Sequence, residues 1–366
     1  MDQDTGAFGM TLASSVLGSL ERTYGLALKV YLNCETVGLR SRLSAPIPVV
    51  SIGNLSVGGT GKTPAVIMLA NVLRNLGLNV AVLSRGHGGA ASSVGAAVSD
   101  LESNILISTD QSGDEPMVLA LALPGIPVIV GKDRRKTAAL AIQRFHPDIL
   151  LLDDGFQYWQ LKRDLDIVLL DASKPFENGR CLPRGLLREP KENLNRAAMV
   201  LVTRSYSLDP AGRDSLSAQI KTLAPAASVY FSQHVGGRIY PANSCAEVMV
   251  KPERPLAICA IGRPQSFIDT LSKSGVIPAG TLFLPDHHRY RSADVALIVG
   301  KMKEFGANSV ITTEKDNVKL GKLMKSIPLF VQPVLLQVER EDDFTAEILQ
   351  RAVLPHTLNE TVEYRC

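Results

Sequence analysis

An apolar run that dissolves into glycine and closes on Gly-Lys-Thr leaves a chain few ways to fold. Between Pro48 and Leu69 the sequence reads PVVSIGNLSVGGTGKTPAVIML. The run Pro48–Ile52 reads as a buried strand, and a helical pattern starts at Pro64. The glycines at 58, 59 and 61 let backbone N–H groups between them turn toward one side and form an anion nest. The helix that follows adds the positive end of its dipole. In such a cradle Gly58, Gly59, Thr60 and Gly61 form the loop, Lys62 reaches the β- and γ-phosphates, and the Thr63 hydroxyl ligates Mg²⁺. Ser56 stands where the G-x-x-x-x-G-K-[ST] pattern has its first glycine. That position begins the turn, so the substitution is tolerable.

A phosphate loop of this kind needs an acid for its metal at the end of a neighbouring buried strand. DILLLDDGFQ provides one, since Ile149–Leu152 runs directly into Asp153 and Asp154. Adjacent carboxylates repel one another, and a cation is the simplest reason to keep both. A capping Asp ahead of a glycine turn is the bland alternative. The two motifs together point to a nucleotide and Mg²⁺. GTP is disfavoured: VTRSYSLD has no lysine, and TTEKD sets Lys315 directly against Asp316, so no guanine-reading N/T-K-x-D follows a strand. ATP is the expected cofactor.

Short apolar runs alternating with helical patterns predict parallel β-α-β units. Strands are expected at Pro48–Ile52, Asn79–Leu83, Pro127–Val130, Asp148–Leu152, Asp166–Leu170 and Met199–Val202. Helices are expected at Pro64–Leu76, Glu115–Leu123 and Arg134–Phe145. A second series begins after the Pro/Ala-rich stretch near Leu223–Ala227. Its strands are expected at Leu256–Ile261, Thr281–Leu284 and Ser309–Thr312, and its helices at Gln265–Lys273 and Ala293–Glu304. The fold class is therefore α/β: a P-loop NTPase-type three-layer α/β/α domain over residues 1–222, a smaller α/β domain over 223–353, and a tail at 354–366. With 366 residues, 45% hydrophobic and 20% charged, the chain is long enough for two such cores. A net charge of +3 is too small to make nucleic acid its partner. Five scattered cysteines without C-x-x-C spacing suit a reducing cytosol.

The N-terminus opens with Asp2 and Asp4, unlike a signal peptide. From about Leu12 to Leu32 the chain is apolar but interrupted by Glu21, Arg22 and Lys29, so it does not span a bilayer. Val16, Leu17, Leu20, Tyr24, Leu28 and Tyr31 fall near helical spacing. Such a helix either packs on its own domain or lies in a membrane surface, with Arg22, Lys29, Arg40 and Arg42 toward anionic headgroups.

SIGNLSVGGTGKTP, SGDEP, LLDDGFQ, LPRGLLREP, LPDHHRY and TTEKD occur in that order. In order and approximate spacing the chain resembles the tetraacyldisaccharide 4'-kinase family, from about Leu17 to Phe344. The resemblance implies transfer of the ATP γ-phosphate to the 4'-hydroxyl of an acylated glucosamine disaccharide 1-phosphate. It also implies a peripheral enzyme on the cytoplasmic face of the bacterial inner membrane, with its active site in an inter-domain cleft. By resemblance Lys62 and Thr63 hold phosphates and Mg²⁺, Asp153 and Asp154 lie near the metal, and Asp114 is the catalytic base with Glu115 beside it. Read without the family, SGDEP is equally a helix start capped by Ser112 and Asp114. Arg134, in ambiguous register with Arg135, and Glu189 match positions near the nucleotide or acceptor. His287 matches an active-site histidine that pairs with the base, ahead of His288. The sequence departs from the family at Tyr158, where a histidine is common, and at Arg263, where Asn or a small residue is frequent. A partitioning-type P-loop ATPase and a silent nucleotide-binding scaffold are the competing readings.

Overall fold

The largely apolar runs at Val49–Ile52, Val80–Leu83, Val128–Val130, Ile149–Leu152 and Met199–Val202 become strands, whereas the run Met117–Ala122 lies in a helix. The computed structural model describes residues 17–30, 42–242, 252–286 and 288–356. The strands are β1 (Val49–Asn54), β2 (Val80–Ser84), β3 (Ala96–Ala97), β4 (Val128–Val130), β5 (Ile149–Asp153), β6 (Leu165–Asp171) and β7 (Met199–Thr203). They continue with β8 (Ser228–Gly236), β9 (Tyr240–Pro241), β10 (Pro255–Cys259), β11 (Gly280–Phe283), β12 (Ser309–Thr313), β13 (Leu329–Gln332) and β14 (Val334–Val338). The helices are α1 (residues 17–30), α2 (Lys62–Asn75), α3 (Thr109–Ser112), α4 (Asp114–Ala122) and α5 (Arg134–Phe145). After them come α6 (Pro210–Leu223), α7 (Pro264–Lys273), α8 (Ser292–Phe305), α9 (Glu314–Leu320) and α10 (Glu341–Ile348).

The chain divides into two compact units, each assembled from separated segments. The first comprises residues 1–62, 154–233 and 338–366, and the second residues 63–153 and 234–337. In the first unit β1, β6, β7 and β8 form a parallel ladder, with Val50 opposite Leu165, Ile167 opposite Met199 and Met199 opposite Ser228. Every residue of β1 and β7 is buried, as expected of parallel strands covered on both faces. The core behind them gathers Leu55, Phe156, Val168, Leu170, Leu187, Leu194, Val200, Leu216 and Ile220, with Tyr24 of α1 packed against it.

The second unit holds two ladders. In one, β5, β2 and β4 run parallel and β3 closes antiparallel on β4. In the other the order is β11-β10-β12-β13-β9, parallel except for β9. Leu256, Ile258, Ile298, Val310 and Leu320 fill one apolar cluster, and Ala257, Phe267, Leu271, Ile311 and Phe330 fill another. In α/β sheets ligands are met at the carboxyl ends of the strands. Here those ends carry Asn54, Asp171 and Thr203 in the first unit, and Ser84 and Asp153 in the second.

Candidate active site

In the first unit the phosphate loop is fixed from both sides. Gly58 and Gly61 have φ of +127° and +94°, conformations that a side chain makes costly. Asn54, the last residue of β1, donates to the Thr60 hydroxyl at 3.0 Å and accepts from Lys62 Nζ at 3.1 Å. From the end of β7, Thr203 donates to the Thr60 carbonyl at 3.0 Å and Arg204 to the Gly59 carbonyl at 3.0 Å. Arg204 is itself held by Asp171 at the end of β6. The nest is smaller than the glycine count suggests. Val57 N–H donates to Leu186 O at 2.7 Å and Thr60 N–H to Gly58 O at 3.1 Å, so both amides already have acceptors within the protein.

Asp154 sits beside this loop with φ of +53°. Arg188 Nη1 donates to its two carboxylate oxygens at 2.8 and 2.7 Å, and Lys62 Nζ lies 3.5 Å away. Burial alone would raise the Asp154 pKa, but the charges of Lys62 and Arg188 outweigh it and hold the carboxyl below its usual range. Gln157 completes the group, donating to Asn54 O at 3.0 Å. Glu189 is elsewhere engaged: fully buried, it accepts from Asn193 and Arg196, each at 2.7 Å. The Arg196 guanidinium is stacked 4.2 Å from Phe156 and 3.7 Å from Trp159. In the described state the Glu189 carboxylate is thus part of a buried pair.

In the second unit Thr63 opens the main run of α2, and Asp153 ends β5, buried and accepting from Ser84 Oγ at 2.9 Å. Arg134 is 2% exposed and donates to the Gly131 carbonyl at 3.2 Å, whereas Arg135 turns outward to Asp133 at 2.9 Å. The buried member of that ambiguous pair is Arg134. Asp114 is the first residue of α4, whose N-cap is Gly113 without any side-chain cap. SGDEP is a helix start, as the alternative reading has it, with Asp114 in the first turn of α4; Ser112 Oγ donates to Gly113 O, and Asp114 receives Lys319 Nζ at 2.8 Å.

The start of α4 is placed by a glycine-rich turn, RGHGG at 85–89, which belongs to none of the motifs above. A Cβ at Gly89 would lie 2.5 Å from Gln111 O, and one at Gly113, where φ is +89°, would lie 2.7 Å from His87 O. Backbone runs against backbone here, and only glycine fits. Lys319 also donates to His288 O at 3.0 Å, and His288 Nε2 is 3.2 Å from Asp294. His287 lies outside the described residues. Lys319, Arg188, Asn54 and Arg204 were not singled out from sequence, although Arg188 is inside LPRGLLREP.

The sequence match covers nearly the whole chain. The family model described as tetraacyldisaccharide-1-P 4'-kinase matches residues 13–353. The chain belongs to the tetraacyldisaccharide 4'-kinase family. Relatives bearing that name include one from Desulfatibacillum aliphaticivorans, 38% identical over 92% of both chains. Another, from Syntrophus aciditrophicus, is 38% identical over 83% of this chain and 84% of its own. A third, from Syntrophobacter fumaroxidans, is 40% identical over 83% and 77%. Among solved structures, LpxK from Aquifex aeolicus, crystallised in complex with ATP, superposes with a TM-score of 0.74 at 26% identity, covering 93% of this chain and 99% of that one. Family membership identifies the chain as a kinase with a P-loop α/β fold.

Proposed function

We propose that this chain transfers the γ-phosphate of ATP to the 4'-hydroxyl of a tetraacyl glucosamine disaccharide 1-phosphate, giving the 4'-phosphorylated lipid A precursor. The observation that carries this reading is the family match across residues 13–353 on a chain whose Gly-Lys-Thr loop is intact.

The residues present suit Mg-ATP. Mg²⁺ is usually held by one or two carboxylates together with phosphate oxygens and waters. Thr63, Asp153 and Asp154 would hold the ion, and Lys62, 3.5 Å from Asp154, would reach the phosphates. The metal would neutralise charge on the β- and γ-phosphate oxygens. Lys62 stabilises the negative charge that grows on the transferred group. Gly58, Gly59, Thr60 and Gly61 form the loop around the phosphates. Arg134 is the second cation we place toward the nucleotide.

Asp114 takes the proton of the sugar hydroxyl as its oxygen attacks phosphorus. The bond from the γ-phosphorus to the bridging oxygen breaks, and ADP leaves. His287 is read as the partner of this base. Glu189, which the resemblance places near the nucleotide or acceptor, is held in the core by Asn193 and Arg196 in this structure.

The acceptor's acyl chains place it in a bilayer, so the enzyme works as a peripheral protein on the cytoplasmic face of the inner membrane. No helix among the described residues is long and apolar enough to cross a membrane. Helix α1 supports surface attachment. Tyr24 and Glu21 bind it to the protein, donating to Arg188 O and accepting from Cys181 N–H, while Leu20, Leu26 and Val30 remain half or more exposed. The test is mass spectrometry of acceptor lipid incubated with Mg-ATP. Addition of one phosphate at the 4' position supports the reading, and ATP consumption with unchanged lipid overturns it.

A further inference from the structure

We infer that Lys319 is a positioning residue for phosphoryl transfer, acting through Asp114; this rests on the reading of Asp114 as the base. Its ammonium joins two parts of the second unit that are far apart in sequence. One contact is Asp114 Oδ2 at 2.8 Å, on the first turn of α4, and the other is the His288 carbonyl at 3.0 Å. Both side chains are about four-fifths shielded from water (16% and 21% exposed), where a charge-assisted hydrogen bond keeps more of its strength than a surface ion pair.

Folding does not call for this contact, because α9 is already anchored elsewhere. Asp316, fully buried, accepts from Thr313 Oγ1 at 2.7 Å, from Ala260 N–H at 3.0 Å and from the Tyr290 hydroxyl at 3.1 Å. Val318 and Leu320 of the same helix are buried. Lys319 projects from that fixed helix to a carboxylate on the opposite element. One turn earlier Lys315 reaches Asp286 at 3.0 Å. The two lysines, four residues apart and so on one helical face, tie Asp286, the His288 carbonyl and Asp114 to the same helix.

The consequence is orientation. A carboxylate on a helix's first turn can rotate about its side-chain torsions, and a base must meet the hydroxyl proton within hydrogen-bond reach. By binding Oδ2 at 2.8 Å, Lys319 restricts that rotation. A lysine suits the task because its compact ammonium serves a carboxylate and a carbonyl at once.

The experiment compares Lys319→Met, Lys319→Arg, Asp114→Asn and the double variant Asp114→Asn/Lys319→Met in the full chain. The assay uses Mg-ATP and acceptor lipid in detergent micelles. Loss of orientation should lower kcat of Lys319→Met by about tenfold to a hundredfold, with KM for Mg-ATP within about twofold. Lys319→Arg, which keeps the charge but not the compact ammonium, should recover part of the rate. The double variant should be no slower than Asp114→Asn alone, since groups acting as a unit are non-additive. A Lys319→Met rate near wild type, beside an inactive Asp114→Asn, overturns the role of Lys319 and leaves the base in place. Asp114→Asn at wild-type rate overturns both. A Lys319→Met loss that multiplies in the Asp114→Asn background, or that follows a fall in Tm without rescue by Arg, shows a merely structural contact and overturns the inference.

Discussion

Arg188 grips both oxygens of Asp154 through a single guanidinium nitrogen, at 2.7 and 2.8 Å, across 34 residues of chain. Its backbone carbonyl accepts the Tyr24 hydroxyl at 2.7 Å, so one arginine links the N-terminal helix to the acid beside the phosphate loop. Replacing Arg188 by Ala leaves a shielded carboxylate with only the longer contact to Lys62, a loss of about 1–3 kcal/mol of stability at neutral pH. Asp154 is depressed by its cationic neighbours. The stability it contributes is therefore present above its unfolded pKa, about 3.9, and is lost as pH falls through the lower folded value. Thermal melts of wild type and variant should differ at pH 7 and converge toward pH 3. An equal gap at both pH values would show that the Asp154 charge is not what Arg188 stabilises.

Lys62→Ala and Thr63→Ala should each lower kcat by about a hundredfold to a thousandfold, since each removes a group that acts on the charge of the transferred phosphoryl. Melting should change little in Thr63→Ala. Steady-state kinetics at saturating Mg-ATP check this, and wild-type-like rates in both variants would remove the P-loop assignment.

Gly89→Ala tests how Asp114 is placed. The added methyl would meet backbone atoms of Gln111 and Ser112 at 2.5 Å, and backbone cannot step aside as a flexible side chain can. Overpacking of this kind costs about 1–3 kcal/mol, and it should move the start of α4. We expect a kcat loss exceeding that of Gly88→Ala, where φ of +78° strains the backbone but a Cβ meets nothing within 4 Å. The two variants measured side by side decide the point; equal kcat in both would refute the placement.

Leu20→Asp with Leu26→Asp should weaken binding to anionic vesicles while leaving Tm nearly unchanged, because both side chains are at least half exposed. Tyr24→Phe should do the reverse, losing a hydrogen bond worth about 1 kcal/mol and keeping vesicle binding. Vesicle co-sedimentation beside a thermal melt reads both. A large fall in Tm for the double Asp variant would show that those leucines belong to the fold.

The local patterns were legible because their signals lie within a few residues of one another. An apolar run, glycines with positive φ and Gly-Lys-Thr specify a strand, a turn and a helix start in place, and β1, the loop and α2 follow. Asp153 and Asp154 were visible for the same reason, as acids ending a wholly apolar run. The elements missed had weaker patterns. In β8 the short apolar run Val229–Phe231 gives way to Ser232, Gln233 and His234 in succession, and β13 and β14 are separated only by Pro333.

The charge partners at the candidate site were not legible in the sequence. Lys319 meets Asp114 from 205 residues away, and in the chain it is one more lysine on an exposed-looking helix. Glu189 and Arg188 are neighbours in one motif, yet the first turns into the core against Arg196 and the second out to Asp154. Arg134 and Arg135 differ only in which side of α5 faces the sheet. A single residue's step along the backbone turns a side chain by about 100° on a helix and about 180° on a strand. The sequence therefore determined which residues carry charge and which segments form the cradle. Only tertiary packing decided which carboxylate each cation meets, because that depends on how separately formed elements come to rest against one another.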